Sequence, residues 1–494
     1  MEETHQWLGV KALNVQPDPV RFDWLWGYFI PLGFLLVIWG GLSPRKARRV
    51  TPIAALALAL STLAYWSVGF ALHLGGAYAV TGNPAFEGLQ ALLLMVPEDP
   101  NWGVAGLTGL FLTGQDFGPE VYTLFLTYLP LVTTAVILTS LALMDLRRWV
   151  MLTASLLMGA IVFPVAACWS WGGGWLAHLG DSMTLGYGFV DFGGSALVLW
   201  LPGIFVLALW LLQDRGRVTQ PPEPPSTYAP LLANLGAVLV GIGWLGWELS
   251  QPFHMLPATL DWHRVALNTL LGMAGATLAA QLYAWLATGH PESLLASQGQ
   301  VAGWGAVLAS APFVPGWAAL ALGTLAGFAF PLVRYAIEAW LHLRDAAGTI
   351  ALALTSGPLG LLGVALFADG QAGQGWNGYP ASSPLPGVAG LFVSGNTAQL
   401  SAQAIGLFAF TLWAAFWGLL LGAASRLSTH KPTAPMLHTP ATAAAAQPPL
   451  ERTENAAEER PLDGTSPVAP SAQGPEQILE ASSPSTEQRG KTTL

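Results

Sequence analysis

Apolar residues gather in eleven long runs along this chain, and the polar, basic and proline residues gather between them. The runs cover 24–42, 52–74, 121–144, 149–169, 192–213, 229–249, 262–286, 299–313, 317–339, 348–367 and 400–421. Most come close to the roughly 20 residues that a helix needs to cross about 30 Å of hydrocarbon. Lipid offers no partner to a backbone amide, so each run must pair its amides within itself, which predicts helices. The patch 103–113 is too short to cross and reads as part of an outer loop. The runs are rich in glycine and alanine, whose small side chains let helices approach closely, so a tight bundle is expected.

Composition excludes the rival explanation, a large water-soluble core. Of 494 residues, 53% are hydrophobic and 10% charged, and the mean hydropathy is +0.50, whereas a soluble domain carries roughly 25% charge. The basic residues give an orientation, because they collect on the cytoplasmic side of short loops. With eleven spans and the N-terminus outside, Arg45, Lys46, Arg48, Arg49, Arg147, Arg148, Arg215, Arg217, Arg334, Arg344, Arg426 and Lys431 are all inner, against Lys11, Arg21 and Arg264 outside. A twelfth span at 103–113 would split those clusters between the two sides.

Three further features bound the organisation. Residues 1–22 are polar and contain prolines, with no basic stretch ahead of a short apolar one, so 1–23 reads as an external segment rather than a cleaved signal. From 428 to 494, most clearly beyond Pro432, the chain turns to Ala, Pro, Thr, Ser and Glu without apolar periodicity, which predicts a disordered cytoplasmic tail. The single cysteine, Cys168, lies inside a run; it excludes a disulfide framework or a cysteine metal site and reads as a small core residue. The net charge of −9 is spread over loops and tail and names no partner.

Several motifs carry a resemblance. Gly40-Gly41-Leu42-Ser43-Pro44-Arg45-Lys46 follows the first run, and Trp171-Gly172-Gly173-Gly174-Trp175-Leu176 precedes Asp191-Phe192-Gly193-Gly194 at the fifth. Gly243-Trp244-Leu245-Gly246-Trp247, Asn268-Thr269, Ser297 to Gly303 and Asp345 to Gly360 follow in order. In order and spacing the chain resembles the ammonium transporter family of Amt, Mep and Rh proteins over most of residues 25–425. The resemblance implies an all-α integral membrane fold of eleven transmembrane helices, with two inverted five-helix repeats, an eleventh helix outside them, and 24–427 as the membrane domain. It also implies a homotrimer with one pore per protomer in the cell (inner) membrane. Asp191 and Asp345, each opening a glycine-rich run, are a trace of the repeat.

The resemblance also locates the site. Trp171 matches the family's cation-facing tryptophan, Tyr128 and Leu131 stand in the region of one aromatic gate, and Trp247 stands at the other. Gln251 takes the place of a serine that receives ammonium, and Ala71 that of a serine on the second span. The two midplane histidines of the family fall eight residues after Asp191 and Asp345, where this chain has Leu199 and Ala353. No shift of register restores them. His5, His73, His178, His254, His263, His290, His342, His430 and His438 all fall at span ends, in loops or in the tail. The family's motif for docking the cytoplasmic PII regulator is not recognisable after Arg426.

Each residue also has a plainer reading. Asp191 and Asp345 are expected as structural N-caps rather than ligands. Trp171 and Trp247 either form a mouth or belong with interfacial anchors among 22 tryptophans. Glu248 either faces a cavity or is solvated at the headgroups. His73 and His178 are expected at the outer surface or vestibule, and Glu338 and His342 at the inner interface. No nucleotide loop, nucleophile triad, paired catalytic carboxylates or metal cluster stands out, so no enzyme, cofactor or nucleic-acid partner is expected. The leading expectation is a channel or transporter for ammonium, ammonia or a similar small solute. Its rivals are a non-conducting sensor or scaffold of the same fold and a channel for a neutral gas.

Overall fold

The structure, a computed structural model, describes residues 23–114, 117–213, 225–249, 260–343, 345, 347–378 and 387–428, and each of the eleven apolar runs contains a helix there. The N-terminal segment 1–22 and the tail 429–494, with the expectations attached to them, lie outside the described residues. We label the helices α1 (Trp24–Gly40), α2 (Pro44–Thr81), α3 (Pro119–Ala142), α4 (Arg148–Ser170), α5 (Ser195–Leu211), α6 (Ala229–Leu249), α7 (Trp262–Thr288), α8 (Ser293–Val307), α9 (Gly316–Ala339), α10 (Thr349–Phe367) and α11 (Ala398–Leu427). Among the described residues, eight are long and apolar enough to cross a membrane, while α1, α5 and α8 are shorter. Outward-facing Leu63, Leu231, Leu278, Phe408 and Phe416 give the bundle an apolar exterior, as lipid requires and water does not. The protein is therefore an all-α, multi-pass membrane protein, with 103–113 lying outside the helices. There a small hairpin, β1 (Leu92–Leu94) against β2 (Gly103–Gly106), precedes a short 3-10 turn.

Several boundaries differ from the periodicity, each for a local reason. The second helix begins at Pro44 rather than 52, because Ser43 is extended and Pro44 occupies the first turn, where its missing N–H costs nothing. The eighth run was expected at 299–313, but α8 occupies Ser293–Val307. Beyond Val307 the chain docks on the segment leading into α5: Gly193 N–H donates to Leu308 O at 3.0 Å and Ala309 N–H to Ser195 Oγ at 2.9 Å. A tertiary contact, invisible to periodicity, ends this helix early. Wide π turns interrupt α2 at Tyr65–Gly69 and α4 at Met158–Val162, open α5 at Ser195–Trp200 and close α10 at Gly363–Phe367.

A close helix crossing relates α1 to α6. A Cβ added to Gly33 would lie 2.6 Å from Gly236 O, and one added to Gly236 would lie 2.6 Å from Gly33 O. Such reciprocal contact is what two copies of one motif related by a twofold would make. The pairing of α8 with the start of α5 has a counterpart too, since Thr349 Oγ1 at the start of α10 donates to Leu138 O of α3 at 3.3 Å.

Polar contacts hold loops together at two ends of the bundle. Lys46 meets Asp145 at 2.8 Å, and Arg147 donates to Ser428 at 3.4 Å, so the start of α2, the α3–α4 loop and the end of α11 share one end. Arg264 at the start of α7 pairs with Asp369 after α10 and donates to Val314 O at 3.1 Å. The pair is about four-fifths shielded, and Arg264→Met is expected to lower stability by about 1–2 kcal/mol, measured as a lowered melting temperature in detergent.

Candidate functional site

Three aromatic rings from three helices converge in the interior. Tyr128 comes from α3, Trp171 from the turn ending α4 and Trp247 from α6. Their centroids stand 5.8 Å (Tyr128–Trp171), 5.8 Å (Trp171–Trp247) and 6.1 Å (Tyr128–Trp247) apart. All three are buried. The two indoles are oriented by their N–H groups: Trp171 Nε1 donates to Asp191 O at 2.8 Å and Trp247 Nε1 to Thr127 O at 2.8 Å. With those donors committed to carbonyls, ring faces rather than N–H groups are presented within the cluster. A cation reaching such a face gains ~0.5–2 kcal/mol. With centroids 5.8 to 6.1 Å apart, the rings pack against one another.

His73 adjoins this cluster, which corrects the expectation of a surface or vestibular position. Its ring is fully buried and lies 4.9 Å from Tyr128. Tyr65 Oη and His73 Nδ1 are hydrogen-bonded at 2.9 Å, and Nε2 has no partner. Among the described residues it is the one buried histidine; His178 is half-buried. The π turn at Tyr65–Gly69 lies between the two bonded residues, and an extra residue in a turn rotates everything beyond it. That local rotation is why a histidine near a helix end points inward.

A second group of buried side chains adjoins Trp247. Trp244, Trp247 and Glu248 stand at i, i+3 and i+4 of α6 and so share a face. Glu248 is 0% exposed and neither of its oxygens has a hydrogen-bond partner, which removes the headgroup-level alternative for it. The indole of Trp304, from α8, packs edge-on against Trp244 with centroids 4.3 Å apart. The Nε1 atoms of Trp244 and Trp304 are both buried without partners. A Cβ on Gly193 would lie 2.9 Å from Glu248 Oε1 and 3.1 Å from Trp244 Nε1, so the carboxylate and this indole meet over bare backbone. An isolated buried carboxylate costs several kcal/mol unless a proton or cation neutralises it.

The remaining predicted residues are spread through the fold. Leu131 is fully buried on α3, one helical turn from Tyr128. Leu199 places Cδ1 2.6 Å from where a Cβ on Gly305 would be, and Ala353 Cβ lies 2.0 Å from the same position on Gly203. Both side chains pack on glycines of neighbouring helices. Phe34, 6.2 Å from Trp304, also lines a small cavity with Leu138, Val301, Phe330 and Leu352, whose polar wall is Gln298. Asp191 Oδ2 accepts from the amides of Ala196 at 3.1 Å and Leu197 at 2.9 Å, and Asp345 Oδ2 from that of Ala351 at 2.7 Å. Both carboxylates thus engage the first turn of a helix. Gln251 lies outside the described residues.

Sequence reasoning missed Trp304 and the inward turn of His73. It also did not relate Trp244 to Glu248, four residues on. Nothing local in α8 marks Trp304, whose role depends on where that helix packs.

A family model described as Ammonium Transporter Family matches residues 25–430 of the chain. The chain is 30% identical over 432 residues to Ammonium transporter Amt2 of Archaeoglobus fulgidus, covering 84% of each chain. It is 26% identical over 392 residues to the ammonium transporter of Aquifex aeolicus, covering 78% of this chain and 81% of that one. Among solved structures, Sensor Amt Protein superposes with a TM-score of 0.63 at 21% identity, covering 83% of this chain and 93% of its own. Mep2 of Saccharomyces cerevisiae gives 0.60 at 19% identity, covering 81% and 86%. These structural likenesses speak for the fold.

Proposed function

The chain belongs to the ammonium transporter family, and from that membership we propose that it moves ammonium, as the ion or as ammonia released from it, across a membrane. The observation that carries this reading within the chain is the ring cluster of Tyr128, Trp171 and Trp247, with Glu248 behind it. The rings attract a cation by their faces, and the carboxylate adds negative charge in a region shielded from water. Gln251 and the half-buried His178 belong to the approach in this reading, and Leu131 backs Tyr128. We assign Asp191 and Asp345 the structural role of holding α5 and α10.

Leu199 and Ala353 stand where the family resemblance implies imidazoles, and an alkyl side chain neither donates nor accepts a proton. Transport in this chain therefore uses other groups or ordered water for any proton it handles. We assign the assembly as a homotrimer in the cell membrane, with the N-terminus outside; the basic residues grouped at the Lys46–Asp145 end support that direction.

A second reading, a non-conducting sensor of the same fold, is favoured by the packing of Leu199 on Gly305 and Ala353 on Gly203, which leaves helices in contact there. Uptake separates the two. Liposomes containing the protein are expected to accumulate labelled methylammonium faster than empty liposomes, with ammonium competing. Uptake equal to that of empty liposomes rejects transport and leaves the sensor, while flux without charge movement points to neutral gas.

A further inference from the structure

Glu248 is the ionisable group that the family resemblance does not account for. It sits on a membrane helix, fully buried, with two unpartnered oxygens, and among the described residues no Lys, Arg or His forms an ion pair with it. A lone charge in such a place is costly, and ionisable groups within membrane helices mark ion paths or sites. Three further features surround this part of α6. Trp244 Nε1 and Glu248 Oε1 lie 3.1 Å and 2.9 Å from where a Cβ on Gly193 would be, the ring of Trp304 packs 4.3 Å from that of Trp244 with its Nε1 buried and unpartnered, and the rings of Trp244 and Trp247 lie 6.1 Å apart on the same helix face.

We propose that Glu248, Trp244 and Trp304 form a buried site for a small monovalent cation of the ammonium type, held in its charged form behind the ring cluster. The choice of ligand rests on the ammonium reading above. The site itself rests on the chemistry of these side chains. An ionised carboxylate offers about four acceptor positions, which suits a compact ion whose N–H groups point in all directions. The indole faces add attraction on the other side. The unspent N–H groups of Trp244 and Trp304 can donate to water retained in the ion's shell. A neutral amine would leave the carboxylate's charge uncompensated, so the site distinguishes the ion from the gas. A strongly hydrated cation such as sodium loses more hydration on entering than an ammonium-sized ion does.

The test is equilibrium binding of labelled methylammonium to the full-length protein in lipid nanodiscs. Wild type is expected to bind saturably, and Glu248→Gln, which keeps the shape and removes the charge, to bind about 30-fold more weakly. Rubidium, permanently charged and close to ammonium in size, is expected to displace the label, while sodium at equal concentration is not. Binding by Glu248→Gln within about twofold of wild type overturns the site. So does a failure of rubidium at about 100-fold excess to displace the label, a result read on wild type alone and so independent of how well the variant folds. Liposome uptake is scored separately. Wild-type uptake with Glu248→Gln binding unchanged removes the site and leaves transport. Absent uptake with charge-dependent binding removes transport and leaves the site.

Discussion

Gly33→Leu is expected to yield no folded protein. At the α1–α6 crossing a Cβ on Gly33 would already stand 2.6 Å from Gly236 O and from Val240 N, and 2.7 Å from Val240 Cγ2. Two of those three atoms are backbone, so no side-chain rotation makes room and the helices must part. Association of helices in lipid depends on close packing rather than on the hydrophobic effect, and parting them forfeits that attraction along the whole crossing. Gly33→Ala is the graded version and is expected to cost about 1–3 kcal/mol. Because Gly236 lies against Gly33 O in return, adding Gly236→Ala should cost less than its single-variant value, since the first substitution has already moved the helices apart. Size-exclusion profiles and melting curves in detergent measure both effects. A monodisperse Gly33→Leu protein melting with the wild type would show that this crossing does not hold the bundle together.

The second large effect is expected at Asp191. Its Oδ2 accepts two amides of the first turn of α5, in a fully buried position. Alanine leaves both amides without a partner where water does not reach, and each hydrogen bond to a charged group is worth about 1.5–3 kcal/mol, so Asp191→Ala is expected to cost about 3–5 kcal/mol. Asp191→Asn retains an oxygen in place and is expected to cost about 1–2 kcal/mol. The loss should also reach the ring cluster, because the carbonyl of the same residue receives Trp171 Nε1 at 2.8 Å. Near-ultraviolet circular dichroism, which senses tryptophan surroundings, would change in Asp191→Ala at temperatures where the protein is still folded. An unchanged spectrum and melting temperature would remove Asp191 from its capping role.

Membrane class and helix placement were legible because their cause is local. A run such as 121–144 is apolar throughout, and lipid leaves it no alternative to a helix. Boundaries were less legible wherever a distant segment decided them. The end of α8 at Val307 follows from Gly193 and Ser195, more than a hundred residues earlier in the chain, taking the backbone of Leu308 and Ala309. Within the site, the motifs named Trp171 and Trp247, and Glu248 follows Trp247 directly. Sequence alone left Glu248 open between a cavity and the headgroups, since a residue near a helix end is compatible with both. His73 was expected outside for the same reason, and a π turn at Tyr65–Gly69 rotated it inward.

By itself, the order of residues determined that this chain lives in lipid, that its runs become helices, and that imidazole is absent from the two positions at Leu199 and Ala353. Those properties depend on the chemistry of each segment against its solvent. Only the tertiary structure decided that Glu248 is buried without a partner and that Trp304 packs on Trp244, that Leu199 and Ala353 rest on Gly305 and Gly203, and that His73 meets Tyr128. The physical reason is that the direction of a side chain depends on helix rotation. In a bundle packed through glycines, rotation is set by contacts between segments far apart in the chain.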